Sequence, residues 1–89
     1  MDNNYKETAL MFLKKLTTEN IIEQLEGDPS PKGSCEFMTD VIYAVVAIGN
    51  RVQAPGITLA LGRYHAGTWS AKQAASDMFS IIEQSCKNY

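Results

Sequence analysis

The stretch that most constrains the fold of this chain is residues 37–52, FMTDVIYAVVAIGNRV, the most apolar segment of the sequence. Its apolar residues fall at helical spacing on two neighbouring faces. One face consists of Phe37, Val41, Ala44, Val45, Ile48 and Val52, and the other of Met38, Ile42, Val46 and Gly49. A helix that is apolar on more than one side needs packing neighbours on more than one side. The pattern therefore predicts a central helix at about residues 35–52, surrounded by other elements.

The chain before this segment has the pattern of two shorter elements. A first helix is predicted from a cap at Asn3 or Asn4. Its expected buried residues are Tyr5, Ala9, Phe12, Leu13 and Leu16. A second element, either a short helix or a bend, is predicted from a cap at Thr17 or Thr18. Its expected buried residues are Ile21, Ile22 and Leu25.

Sequence breaks flank the central helix on both sides. Before it, residues 27–34, GDPSPKGS, contain two prolines and are typical of a loop, and Ser34 is a suitable cap for the helix that follows. After it, the residues QAPG end the apolar pattern. Residues 57–64 then fit either a helix or an alternating strand. We prefer a helix that ends at Gly67, because an isolated strand has no partner within one chain.

A last helix is predicted to start at Ser70, because Ser70 and Gln73 match the capping-box pattern. Its inner stripe consists of Ala71, Ala74, Ala75, Met78, Ile82 and Cys86. The small alanines predict close approach to the central helix. The sequence thus predicts one all-α domain over residues 1–89, a small bundle of four to five short helices around the central apolar helix.

The small size of the chain indicates self-association. A chain of 89 residues buries only about 60–65% of the surface that its unfolded form exposes. Its hydrophobic content of 45% is too high for a disordered protein. Apolar residues that the small interior does not hold remain available for contact with other molecules. We therefore expect a homo-dimer or a higher oligomer.

Charge is distributed unevenly, although the formal net charge is only −2. Residues 1–40 hold eight acidic residues and four lysines, whereas residues 41–89 hold two acidic residues and four lysines or arginines. The acidic front half and the mildly basic back half could meet between two protomers, or either could face a charged partner. This asymmetry is too mild to indicate binding of duplex DNA, which ranks a nucleic-acid partner below a protein partner.

The sequence also predicts a cytoplasmic location without a membrane span. The longest apolar run, residues 41–49, is much shorter than the roughly 20 residues that cross a membrane as a helix. The N-terminal residues contain an early acidic residue and lack the pattern of a secretory signal. Cys35 and Cys86 lie far apart without a CxxC partner, so both are expected to be free thiols in a reducing compartment.

Sequence signatures of catalysis, metal binding and cofactor binding are missing. One histidine and two separated cysteines form no short-range ligand pair, so we expect no metal site and no cofactor. A nucleophile pair would need His65 beside Cys35 or Cys86 in the folded chain. The position of Cys86 on an alanine-rich stripe favours an inert buried thiol instead. We therefore expect no enzymatic activity.

One cluster combines cations, aromatic rings and hydrogen-bond donors around two glycines. It consists of Arg63, Tyr64, His65, Thr68, Trp69 and Lys72. Tryptophan, tyrosine and arginine dominate binding hot spots, which favours a protein interface. The same rings could stack a base while Lys72 and a helix amino terminus receive a phosphate. In a third, purely structural interpretation, Trp69 and Tyr64 pack on the core and the charges are solvated.

These features together favour a small non-enzymatic interaction protein. We expect it to bind a partner protein, of unknown identity, in the manner of inhibitors, adaptors, immunity proteins or phage-type accessory proteins, an analogy based on size and on the lack of catalytic motifs. An alternative is an oligomer that sequesters a nucleotide or another small anionic ligand at the Arg63–Lys72 cluster. A third hypothesis is a nucleic-acid-binding regulator.

Overall fold

The computed structural model describes the backbone of residues 4–27 and 31–89 and the side chains of residues 4–27 and 36–89. Its five α-helices are α1 (Asn4–Lys14), α2 (Thr18–Gly27), α3 (Pro31–Ala47), α4 (Ala54–His65) and α5 (Ala71–Lys87). All regular secondary structure in these residues is helical, which confirms the predicted all-α bundle. Residues 57–64 lie within α4, so the choice of helix over strand is confirmed as well.

Two helix starts follow the predicted capping chemistry. Thr17 and Asn20 cap α2 reciprocally, since the Asn20 N–H donates to Thr17 Oγ1 and the Thr17 N–H donates to Asn20 Oδ1, both at 3.1 Å. The second element is therefore a separate helix rather than a bend. At α5, the Gln73 N–H donates to Ser70 Oγ at 3.1 Å, which confirms the predicted start.

Two other predicted caps have different outcomes. The cap expected at Ser34 is wrong, because α3 already begins at Pro31 and Ser34 lies inside it. Proline is favoured at the first helical position, where no intrahelical partner exists for an N–H. For α1, Asn4 is the first helical residue, while Asn3 lies outside the described residues. Of the predicted loop at residues 27–34, residues 28–30 also lie outside them.

The central helix ends earlier than predicted because a glycine stops it. α3 ends at Ala47, and Gly49 has a positive φ of 99°. The Gly49 N–H donates to the Val46 carbonyl and the Asn50 N–H to the Val45 carbonyl, both at 3.0 Å. These are the two hydrogen bonds of a Schellman motif, which satisfies the last carbonyls of a helix.

Val52 therefore does not belong to the buried stripe, and its assignment there is wrong. It lies in the α3–α4 connection with 89% of its surface exposed. The α4 helix ends with the same motif as α3. Gly67 has a φ of 80°, and the Gly67 and Thr68 N–H groups donate to the carbonyls of Tyr64 and Arg63 at 3.0 and 2.9 Å.

The core lies between α3 and α5, which share α1, α2 and α4 as neighbours. α3 packs mainly against α1 and α4, and α5 mainly against α4 and α2. The close approach predicted between the α5 alanines and α3 is therefore wrong: Ala71, Ala74 and Ala75 are buried, but α3 is not a main neighbour of α5. The largest fully buried side chains are Leu13, Ile21, Met38, Ile57, Met78, Ile82, Val41 and Val45.

Several further residues differ from their predicted burial, and Phe12, Leu16, Ile22 and Phe37 are half-buried. Tyr5 was expected in the core, but 59% of its surface is exposed, because it faces the side of α1 next to α3 rather than the interior. Cys86 is only half-buried, and its neighbour Ser85 is buried in its place. The Ser85 hydroxyl donates to the Ile81 carbonyl at 2.7 Å, so its burial leaves no unpaired donor.

Candidate functional site

The six predicted site residues lie at one end of the bundle, where α4 turns into α5. Arg63, Tyr64 and His65 form the last turn of α4, and Lys72 lies in the first turn of α5. Thr68 and Trp69 belong to the connection between the two helices. This proximity comes from the short connection itself, since the residues span only positions 63–72.

Arg63 and Trp69 form a stacked pair that holds the connection together. The Arg63 guanidinium carbon lies 4.7 Å from the centroid of the Trp69 ring. The Arg63 carbonyl also accepts the N–H groups of Thr68 and Trp69, at 2.9 and 3.2 Å. Trp69 is half-buried against the core, while Arg63 is exposed. At such an exposed position a cation–π contact contributes about 0.5–1 kcal/mol, so the pair has a structural role of its own.

Tyr64 also has a structural role. Its hydroxyl donates to the Leu25 carbonyl at 3.1 Å and so links the end of α4 to the end of α2. The ring is half-buried and lies 5.4 Å from the His65 ring, measured between centroids. Tyr64 is therefore directed toward α2, and the exposed members of the cluster are Arg63, His65, Thr68 and Lys72.

Several backbone donors of this end are engaged within the chain. A phosphate at a helix amino terminus is held by N–H groups that have no other acceptor. Here the N–H groups of Thr68 and Trp69 donate to Arg63, and that of Gln73 donates to Ser70. Of the amino-terminal donors of α5, the Gln73 N–H is therefore not open to an anion.

A second surface, which the sequence did not identify, lies on both sides of α3. The groove between α1 and α3 has a volume of about 530 Å³. Its lining residues are Asn4, Tyr5, Thr8, Ala9, Phe12, Asp40, Tyr43, Ala44 and Ala47. The groove between α3 and α4 has a volume of about 540 Å³. Its lining residues are Ile42, Val46, Arg51, Ala54, Pro55, Thr58 and Leu59. We call the exposed side of α3 together with these two grooves the α3 face.

The α3 face carries three of the six large apolar side chains that the described part of the chain exposes. Tyr43, on the ridge between the grooves, is 71% exposed, and Tyr5 and Leu59 on the far walls are 59% and 55% exposed. The signal for this face was present in residues 37–52, whose apolar residues cover more than one side of a helix. The neighbours α1, α4 and α2 cover α3 only in part and leave the side that carries Tyr43 exposed.

Cys86 is a half-buried thiol near the end of α5. It lines a small groove of about 170 Å³ between the end of α1 and α5. Burial raises the pKa of the Cys86 thiol, and the nearby Lys14 ammonium partly opposes that shift. His65 ends α4 beside the start of α5, and Cys86 lies near the other end of α5, about 20 Å away along the helix axis. The fold therefore does not form a Cys86–His65 pair, while the Cys35 side chain lies outside the described residues.

The described residues form neither a metal-ligand group nor a helix suited to crossing a bilayer. Within residues 4–27 and 36–89, no three side chains of histidine, cysteine, aspartate or glutamate come together as a group that could hold a metal ion. None of the helices in the described part of the chain combines the length and apolarity needed to cross a bilayer.

Comparison with known proteins does not assign this chain to a family. No protein-family model matches it, and neither a curated protein nor a solved structure does so.

Proposed function

We propose that this protein is a small non-enzymatic interaction protein that binds a partner protein through the α3 face. The observation that carries the proposal is the exposure of Tyr43, 71% of whose surface is accessible on a ridge between two apolar grooves. Contiguous exposed apolar surface on a small protein marks interaction sites. The mode of action would be that of inhibitors, adaptors, immunity proteins or phage-type accessory proteins.

The composition of the α3 face supports this proposal. An aromatic side chain contributes about 150–250 Å² of contact area, and tyrosine is enriched among the residues that dominate binding energy. Tyr43 lies beside Ala44 and Ala47, whose small side chains leave the groove open next to the ring. Asp40 and Arg51 are single charges at the two grooves, in keeping with the polar rim of a typical interface.

The Arg63–Lys72 end of the bundle is a second proposed contact surface. An exposed arginine stacked on a half-buried tryptophan is a rigid, partly apolar element, and such pairs are frequent at interfaces. We also propose a cytoplasmic location, which the free, half-buried thiol of Cys86 supports.

Photo-crosslinking from defined positions tests the proposed function. A photoreactive phenylalanine analogue placed at Tyr43 is expected to form protein adducts in cells of the native host, other copies of this chain included. The same analogue at Tyr89, which is 53% exposed outside the α3 face, is the matched control. Equal adduct patterns from both positions, or no adduct from Tyr43, would contradict the proposal.

A further inference from the structure

We infer that the groove between α3 and α4 binds an amphipathic helix of a partner protein, with the apolar side of that helix in the groove and acidic side chains at its ends. This inference rests on the proposed function and names the partner chemistry of one part of the α3 face. Three observations support it: the apolar walls of the groove, the arginines toward its two ends, and a long stretch of sequence without acidic residues.

Two rows of apolar side chains form the walls of the groove. Ile42 and Val46 form the row on α3, and Pro55 and Leu59 form the row on α4. The members of each row are four residues apart, so each row extends about 6 Å along its helix. Helices pack by placing a ridge of side chains between the ridges of their neighbours. The groove, about 540 Å³ in volume, therefore has a form that can receive the apolar ridge of a third helix.

The α4 wall of this groove is open to solvent. Leu59 is 55% exposed, and Val52, just before α4, is 89% exposed. Pro55 is exposed as well. Binding of an apolar ridge would remove these side chains from water, which is the main driving force for association of apolar surfaces.

Arginines lie toward both ends of the groove. Arg51 lines it at the α3–α4 connection, and Arg63 lies in the last turn of α4, nine residues after Ala54. Nine residues of helix extend about 14 Å. Arg63 is four residues after Leu59, so the two share a side of α4. Both arginines are exposed, and among the described residues no carboxylate forms an ion pair with either guanidinium.

Acidic residues are missing from this region of the sequence. None lies between Asp40 and Asp77, a stretch that includes the second half of α3 and all of α4. Asp40 lines the α1–α3 groove, on the other side of α3. A partner with acidic side chains therefore meets no like charge on α4, whereas a basic partner would place its charges against Arg51 and Arg63.

The same features favour a protein helix over a nucleic acid or an added strand. Nucleic acids are held by several cations that neutralise phosphates, but the surface between these two arginines is apolar. A partner strand needs a sheet edge, and the described residues form helices only. A helix of about three turns, with apolar residues every three or four positions, matches both the groove and the spacing of the arginines.

Fluorescence anisotropy with designed peptides tests the inference. The probe is a labelled helical peptide of about 14 residues, with leucines at helical spacing and glutamates at both ends. The comparison peptide has lysines in place of the glutamates. The protein should bind the glutamate peptide with a dissociation constant of about 100 µM or less, and at least about tenfold more tightly than the lysine peptide.

Charge reversal of the two arginines should reverse this preference. Arg51→Glu combined with Arg63→Glu should bind the lysine peptide at least about threefold more tightly than the glutamate peptide. Lys15→Glu combined with Lys87→Glu changes the net charge by the same amount at exposed positions of α1 and α5, and should keep the wild-type preference. Because Arg63 also stacks on Trp69, Arg51→Glu is measured alone and should reduce the preference at least about threefold.

A second pair of variants tests the apolar part of the groove. Leu59→Ser should weaken binding of the glutamate peptide at least about tenfold. Met11→Ser on α1, where the side chain is 59% exposed, is the matched control and should leave binding unchanged. Circular dichroism verifies that each variant remains helical.

Four outcomes would overturn the inference. They are equal affinity for the two peptides, a preference that survives reversal of both arginines, binding indifferent to Leu59→Ser, and tighter binding of a single-stranded oligonucleotide than of the glutamate peptide. The last outcome would assign the surface to nucleic acid instead.

The crosslinking experiment at Tyr43 separates this inference from the proposed function. Tyr43-dependent protein adducts, together with equal affinity for the two peptides, would overturn the acidic helix as occupant and leave the interaction role standing. Equal affinity without such adducts would overturn both.

Discussion

Asn50 donates a hydrogen bond from its side-chain Nδ2 to the hydroxyl of Ser85, across 35 positions of the chain. Asn50 lies in the α3–α4 connection and its Nδ2 also reaches Gln53 Oε1 at 3.3 Å. Ser85, which is 1% exposed, donates in turn to the Ile81 carbonyl. This chain of polar contacts fixes the connection beside the α3 face to the last turns of α5.

Loss of either partner of this contact should destabilise the fold. We expect Asn50→Ala and Ser85→Ala each to lower the free energy of unfolding by about 1 kcal/mol, the usual net value of one hydrogen bond. Because both changes remove the same bond, the double variant should lose less than the sum of the two. Urea unfolding gives the free energy of unfolding of the two single variants and the double variant. Ser80→Ala, on the exposed side of α5, is the control. Strictly additive losses would show that the two side chains are not coupled.

Two glycines should respond to alanine in opposite directions. Gly49 has a φ of 99°, where an alanine is strained, so Gly49→Ala should lower the free energy of unfolding by about 1–2 kcal/mol. Gly62 lies inside α4 with open space around the position of an added Cβ, so Gly62→Ala should raise it by about 0.5–1 kcal/mol. Thermal unfolding of the wild-type protein and of the two variants measures both changes in stability. A stabilising Gly49→Ala would contradict the helix stop at this residue.

The reactivity of Cys86 should depend on pH in a defined direction. Burial raises the pKa of its thiol, so the thiolate is less populated at neutral pH than in a free cysteine. In a Cys35→Ser variant, alkylation of Cys86 should be slower than that of a free thiol at pH 7 and accelerate as the pH rises above the ordinary thiol range. Lys14→Ala removes the opposing positive charge and should slow the reaction further. Rapid alkylation at pH 7 would contradict a protected thiol.

Truncation of Trp69 and truncation of Lys72, both at the Arg63–Lys72 end, should have unequal effects on the free energy of unfolding. Trp69 is packed on the core, so Trp69→Ala should lower the free energy of unfolding by about 2 kcal/mol or more. Lys72 is exposed, so Lys72→Ala should change it by less than about 0.5 kcal/mol. Urea unfolding measures both. A large loss from Lys72→Ala would show a structural role that its exposure does not indicate.

Nucleotides should leave the melting temperature of the protein unchanged, because the contact proposed for the Arg63–Lys72 end is with a protein and the Gln73 N–H at the start of α5 already has an acceptor. A ligand at 100 times its dissociation constant would add about 2.7 kcal/mol to stability, which a thermal-shift assay resolves easily. Such a shift would restore the nucleotide-sequestering alternative in place of the protein interface.

Local sequence chemistry was enough to predict much of the fold. The capping patterns at Thr17 and Ser70 and the glycine at position 67 correctly located helix boundaries, since caps involve residues only a few positions apart. The stop at Gly49 and Asn50 was also present in the sequence. The apolar pattern continues past it to Val52, so periodicity alone extends the helix beyond its true end.

The sequence by itself determined that the chain forms helices, where most of them begin, and that residues 37–52 hold more apolar surface than a lone helix can expose. Only the tertiary structure decided which of those side chains stay outside, because that depends on which neighbours reach each side of α3. The chain packs α1, α4 and α2 against α3 and leaves Tyr43 exposed between α1 and α4. Helical periodicity in the sequence indicates that a helix face is apolar. Whether that face is buried depends on which neighbouring helices pack against it.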